Sequence, residues 1–189
     1  MNSVMKDVIP TRENRHSLQP ASRLPSVKFL LMFGQLQPEE IEKLISSQVV
    51  GRIGCHADGQ TYIVPISYAY DGVYIYGFTQ EGMKVRMMRK NPRVCFEIDN
   101  LKTMANWQSV IAWGEFEELK DGADRQQALL KLHERILPII ASATTRISPE
   151  WPFAPNDINS IKGVVYRVRL TEKTGRFENN DVPSFLYWG

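Results

Sequence analysis

Asp58-Gly59 and Asp71-Gly72, each set between runs rich in Tyr, Ile and Val, constrain this chain more than anything else in it. A two-residue Asp-Gly link favours the tight hairpin turn whose backbone matches the twist of the flanking strands. Strands joined in this way are antiparallel neighbours, because a parallel pair needs a crossover of about a dozen residues or more. In the run from Thr61 to Tyr70, Tyr62, Val64, Ile66, Tyr68 and Tyr70 alternate with Ile63, Pro65, Ser67 and Ala69, which gives one strand two different faces. Pro65 has no N–H to give a ladder, so it marks an edge, a bulge or a place where the sheet opens toward a ligand.

Six strands are expected: Val49 to His56, Thr61 to Tyr70, Val73 to Tyr76, Val94 to Ile98, Ser109 to Leu119 with a bend at Gly114, and Val164 to Leu170 with Gly175 as its end. A first helix opens at Pro38, carries Glu39 and Glu40 at its positive end, buries Ile41, Leu44 and Ile45, and stops near Gln48. A short second helix opens with Gly82-Met83-Lys84 and closes at Asn91-Pro92, with Thr79 as its candidate cap. A third follows Asp121-Gly122 and runs to about Leu137, with Leu129, Leu132 and Ile136 on one face and Pro138 as the stop. The pattern predicts a mainly β fold, an antiparallel barrel with flanking α-helices, and not a doubly wound sheet.

Length and charge narrow the function classes. A chain of 189 residues, 43% hydrophobic, has enough material for one ordinary domain with a sizeable core. Lys plus Arg number 23 against 21 for Asp plus Glu, a balance of +2 that implies neither a nucleic-acid nor a membrane surface. Cys55 and Cys95 both fall in predicted strands and read as reduced thiols; with only His16, His56 and His133 available, no metal site is expected. The polar stretch from Met1 to Arg23 has no secretory character, and Phe29 to Phe33 is too short an apolar run to span a bilayer, so a cytoplasmic protein is expected. Residues 1–34, with Pro10, Pro20 and Pro25, read as an extended arm, 35–176 as the barrel domain and 177–189 as a C-terminal tail. The segment from Ala141 to Ser160, with Trp151 and Phe153 among its prolines, reads as a flap or a dimer contact.

One constellation carries chemistry. A lysine in the first turn of a helix that follows a strand makes an anion site, because unpaired backbone N–H groups and the ammonium point the same way. Lys84 holds that position, and phosphate is the expected guest. Glu81 must then turn its carboxylate away.

The run TYIVPISYAYDGVYIYGFTQEGMKVRMMRKNPRVCFEID, continued by WQSVIAWGEFEEL, resembles the FMN-binding split-barrel family related to pyridoxamine 5′-phosphate oxidase, and within it the branch of nitroimidazole-resistance proteins. The likeness covers roughly Leu36 to Arg176 and rests on the order and spacing of Val-Pro-x-Ser-Tyr, Gly-x-Lys, Asn-Pro-x-Val-Cys-Phe and Ser-Val-x-x-x-Gly. It implies a six-stranded antiparallel split β-barrel in which Lys84, with Met83 where the oxidases have an arginine, pairs with the FMN phosphate. The backbone of Val64, Pro65, Ile66, Ser67 and Tyr68 would lie along the flavin, and Ser109 falls where the oxidases place a glutamine near the ring. Arg52 is a further candidate phosphate contact, and an apolar slot of Val64, Ile66 and Trp113 is expected to cover the isoalloxazine. Phe78 stands where many relatives carry a histidine, with Thr79 beside it as a substitute polar contact.

The activity implied is that of an FMN-dependent oxidoreductase passing electrons to a small, nitroaromatic acceptor, with NAD(P)H as a candidate donor and FMN at a homodimer interface for which Trp107, Trp113 and Trp151 are candidates. Pyridoxamine 5′-phosphate oxidase activity itself is not expected. The oxidases proper carry an Arg-Leu-x-Pro signature where this chain reads Val182-Pro183-Ser184-Phe185-Leu186-Tyr187-Trp188-Gly189. The competing readings are a non-catalytic flavin-binding or redox-sensing module on the same barrel, and a barrel that takes haem or a deazaflavin.

Overall fold

A computed structural model describes residues 32–136 and 161–179. Their order is β1 (Met32–Gln35), α1 (Pro38–Ser47), β2 (Val50–Ala57), β3 (Gln60–Tyr70), β4 (Tyr74–Thr79), α2 (Met83–Lys90), β5 (Arg93–Thr103), β6 (Asn106–Leu119), α3 (Gly122–Ile136) and β7 (Val164–Asn179). The expected flap from Ala141 to Ser160, most of the N-terminal arm and the last residues of the tail lie outside the described residues.

The strands form one antiparallel sheet in the order β1-β7-β4-β3-β2-β5-β6, and a further β6–β7 pairing closes it into a barrel. The hairpin turn between β2 and β3 is as its residues demand: Asp58 and Gly59 both have positive φ, 52° and 75°. At the next turn, Asp71 Oδ1 accepts the N–H groups of Val73 and Tyr74 at 3.1 and 2.8 Å, so β4 begins one residue later than the pattern predicts. β6 shifts register between Trp113 and Gly114, at the expected bend.

Two expectations are corrected. Seven strands are present among the described residues instead of six, because Met32–Gln35 pairs with Arg176 to Asn179. Gly175 does not end the last strand. It lies inside β7, where its carbonyl accepts the Leu36 N–H at 3.1 Å and β6 continues to pair alongside. β7 is 16 residues long because it serves both β4, through Val164 to Arg169, and β1, through its far end.

The barrel interior follows from alternation. Ile53 and Cys55 of β2, Ile66 and Tyr68 of β3, Val94, Phe96 and Ile98 of β5, Val110 and Ala112 of β6, and Tyr166 and Val168 of β7 share one core. Helix α1 packs Ile41, Leu44 and Ile45 against it at the Tyr68 end of β3, where the Tyr68 hydroxyl donates to the Ile45 carbonyl at 2.6 Å. Helix α2 covers the other end of that strand. Its Val85, Met87 and Met88 are buried, and Asn91 Nδ2 donates to the His56 carbonyl at 2.9 Å. Helix α3 lies outside the sheet, packing Ala128, Leu129 and Leu132 on Ala69, Tyr76 and Val165.

One close approach matters for the site. Tyr166 and Gly77 face each other across β7 and β4, and the Tyr166 ring lies over the glycine, so a Cβ there would stand 2.2 Å from the ring's terminal carbon. Gly77→Ala is expected to destabilise the fold by about 2 kcal/mol through overpacking, read as a lowered urea midpoint with an unchanged m-value.

Candidate functional site: an open strand edge beside a helix N-terminus

Strand β3 pairs with β2 from Gln60 to Ser67, but meets β4 only at Tyr68, Ala69 and Tyr70. Two hydrogen bonds set the phase of its backbone: Tyr68 N–H to the Val49 carbonyl at 3.2 Å on the β2 side, and Asp71 N–H to the Tyr74 carbonyl at 3.3 Å on the β4 side. Even-numbered residues of β3 therefore serve β2, while Thr61, Ile63, Pro65 and Ser67 turn their main-chain groups toward the edge that β4 has left. No described strand pairs there. Pro65, which has no N–H to offer, stands where that absence breaks no ladder bond.

Three residues separate the end of β4 from helix α2, which crosses toward the β2–β3 turn and so lies beside this open edge. Its N-cap is Gly82, not Thr79, and no side chain caps the first turn. The Thr79 hydroxyl donates instead to the Gln80 carbonyl at 3.2 Å, too early in the chain to reach the helix. Glu81 turns away: both its oxygens accept from Arg89 Nη1 at 2.9 Å, and Arg89 also binds Glu118 through Nε at 2.6 Å. The helix N-terminus thus keeps free amides and loses its nearest negative charge. Lys84 makes no ion pair with a described residue. Burial pulls its ammonium below the usual lysine range, opposed in part by the neighbouring Cys55 thiol.

The remaining predicted positions divide by face. Val64, Ile66 and Tyr68 point into the core, whereas Trp113, 40% exposed, points outward. Within one chain they do not line a common slot, because they lie on opposite sides of the sheet wall. Only the backbone of Val64 to Tyr68, with the outward Pro65 and Ser67, borders the open edge. Met83 is exposed at the first helical position beside Lys84. Phe78 packs with the cluster around α3, its ring against Gly163.

Arg52 and Ser109 belong to another cluster. Arg52 Nη1 donates to Glu97 at 2.8 Å and Asp99 at 3.0 Å, and the Ser109 hydroxyl donates to Glu97 at 3.3 Å. Arg52, Glu97 and Asp99 of this cluster also line a groove of about 670 Å³ on the outer wall, with Ile63, Cys95 and Trp113 among its apolar residues and Ile111 beside them. Sequence reading named Trp113 but missed Ile63, Cys95 and Ile111 as its companions. The signal was available: once Asp58-Gly59 sets the hairpin register, Ile63 faces Gly54 and Cys95 faces it from the other side, outward together.

The two thiols also fall on opposite faces, Cys55 inward and 2% exposed, Cys95 outward and half-buried. Burial raises both above the usual thiol range, and Glu97 raises Cys95 further.

An antiparallel barrel split along one strand edge, with an anion-ready helix start beside the split, defines a small class of ligand-binding barrels. Residues 37–177 match the family model described as pyridoxamine 5′-phosphate oxidase, and the chain belongs to that family. It is 37% identical over 145 residues, 73% of this chain and 90% of the other, to the uncharacterized protein RA0666 of Rhizobium meliloti (strain 1021). Among solved structures it is similar to a FAD-binding protein of Mesorhizobium loti, at 29% identity and a TM-score of 0.60, covering 79% of this chain and 99% of that one. The fold is shared also with a candidate 5-nitroimidazole antibiotic resistance protein of Bacteroides thetaiotaomicron, at 18% identity and a TM-score of 0.59, covering 78% and 89% of the two chains.

Because neither thiol is ionised readily, a disulfide reagent at neutral pH is expected to label Cys95 slowly and Cys55 only after denaturation. The Cys95 rate should climb as pH rises past the ordinary thiol range. Fast labelling of two thiols in the native protein at neutral pH would contradict this placement.

Proposed function

We propose that this protein binds FMN and works as a cytoplasmic oxidoreductase, passing electrons from NAD(P)H to a small nitroaromatic acceptor. The observation that carries the reading is the pairing of an open β3 edge with an uncapped helix start and an ammonium that has no described partner. The groups present fit a flavin mononucleotide at both ends. The amides of Met83 and Lys84 and the Lys84 ammonium suit a dianionic phosphate, through charge-assisted hydrogen bonds. The N–H of Ile63 and Ser67 and the carbonyls of Ile63 and Pro65 suit the polar rim of a flavin ring. FMN, when bound, supplies reversible two-electron chemistry, so the chain needs to hold and orient it and no acid, base or nucleophile is required. The FAD bound by the Mesorhizobium loti relative presents the same ring and a phosphate, and makes FAD the second candidate.

The outer wall suits a second copy of the chain. Ile63 is 64% and Trp113 40% exposed there, two large apolar side chains lining one groove that a partner surface would cover. A homodimer joined through this wall would cover the groove and enclose the ring side of the site. Trp107, by contrast, is engaged within the chain: its Nε1 donates to Glu178 at 3.0 Å and Phe33 meets its ring edge-on at 6.0 Å. Sedimentation should give a dimer, and Trp113→Glu should shift it toward monomer and release bound flavin together. A monomer that keeps its flavin would refute the shared site.

The decisive test is the absorption of the purified protein: a flavin spectrum that NAD(P)H bleaches and a nitroimidazole restores. A flavin spectrum that no donor bleaches would assign the chain to the binding or sensing modules, and a haem band would exclude flavin. Lys84→Ala is expected to weaken FMN by about 1–3 kcal/mol, the range for a charged hydrogen bond, while leaving riboflavin, which lacks the phosphate, unaffected. FMN affinity should fall as alkaline pH neutralises Lys84, and at a lower pH than an ordinary lysine would show, since burial already disfavours its charge.

A further inference from the structure

The Tyr166 hydroxyl is fully buried and meets no hydrogen-bond partner among the described residues. A buried phenol of this kind calls for a partner, because leaving a polar group dry and unpaired is costly. Its position is specific. The Tyr166 ring crosses β4 on the bare α-carbon of Gly77, so that a Cβ there would lie 2.4 Å from the hydroxyl oxygen. Gly77 pairs with Tyr68, the last rung before β3 and β4 part. The hydroxyl therefore sits at the apex of the split, on the inner side of the opening that α2 crosses. Cys55 shares the core with Tyr166, and its thiol lies within electrostatic range of both that phenol and Lys84.

We propose that Tyr166 is a positioning residue for the phosphate end of the site: its hydroxyl and the Lys84 ammonium share one bound water, which holds the ammonium at the start of α2. The role rests on the flavin reading above. A water is the fitting intermediary. Its oxygen accepts one hydrogen bond from the phenol O–H and a second from the ammonium. The Cys55 thiol donates at 3.5 Å to the Tyr62 carbonyl, so it is already engaged and is not the missing partner. Tyr166 touches no phosphate in this scheme and acts only through Lys84.

Titrating FMN and riboflavin separately into wild type and Tyr166→Phe tests the assignment. Tyr166→Phe is expected to raise the FMN dissociation constant about fivefold, the scale of one hydrogen bond, and to leave riboflavin unchanged. An unchanged FMN constant, or equal losses for both ligands, would overturn the positioning role. The equal losses would mean a packing effect alone. Wild type that binds neither ligand would refute the flavin reading itself, and this role with it. A crystal structure of wild type with FMN gives a check that needs no variant: a water within hydrogen-bond distance of both Tyr166 Oη and Lys84 Nζ is expected, and a Tyr166 hydroxyl bound to a protein carbonyl would overturn the proposal.

Discussion

Everything distinctive in this barrel follows from the parting of β3 and β4 after the rung between Tyr68 and Gly77. In a fully paired barrel each main-chain group of β3 would be spent on a neighbour. Here the chain leaves β4 to continue only along β7, through Phe78 to Val165 and Thr79 to Val164, and the backbone polar groups of Thr61, Ile63, Pro65 and Ser67 in β3 are left unmatched by a described strand. Unpaired groups at the wall of a folded domain need solvent or a ligand. Local sequence is consistent with the opening: Pro65 faces it, Gly77 admits the Tyr166 ring at its apex, and Gly82 starts α2 without a capping side chain.

Charge is arranged to the same end. Arg89 collects Glu81 and Glu118 on the far side of α2, while Lys84 on the near side has no ion-pair partner among the described residues. Elsewhere cations are engaged in holding elements together. Lys173 joins Glu42 of α1 to Tyr70 of β3, Arg135 of α3 donates to the Ser46 and Gln48 carbonyls at the end of α1, and Arg167 bridges Glu117 and Asp124 under the Tyr74 ring. Arg86, Arg93 and Arg176 also lack an ion-pair partner among the described residues, but they are exposed; Lys84 is half-buried beside free amides at a helix start, and that combination is the electrostatic argument for an anionic guest.

Much of the fold was legible because its signals are local. The Asp58-Gly59 turn needs positive φ at both residues, and the Pro38 start of α1 and the Asn91-Pro92 stop of α2 need only neighbours in sequence. What failed depended on distant contacts. Gly175 looks like a terminator until Leu36, far away in the chain, is seen to bond across it, and the pairing of β1 with the end of β7 has no local signature. The site was half legible for a similar reason. Lys84 and the Val64 to Tyr68 backbone were found by position in their own elements. Val64 and Ile66 were grouped with Trp113 because alternation tells that a strand has two faces but not which one looks inward. Arg52 is likewise explained only across strands, by Glu97 and Asp99.

The length of β7 has a kinetic side. Its residues close the barrel against β6, complete β4 and pair with β1, whose partners are more than a hundred positions earlier. Such contacts raise the loop-closure entropy of the folding transition state, and barrels dominated by them fold slowly. During synthesis β1 to β6 would leave the ribosome with the edges of β4 and β6 both exposed, until residue 179 has followed. The nascent chain is therefore most prone to aggregate just before its last strand arrives.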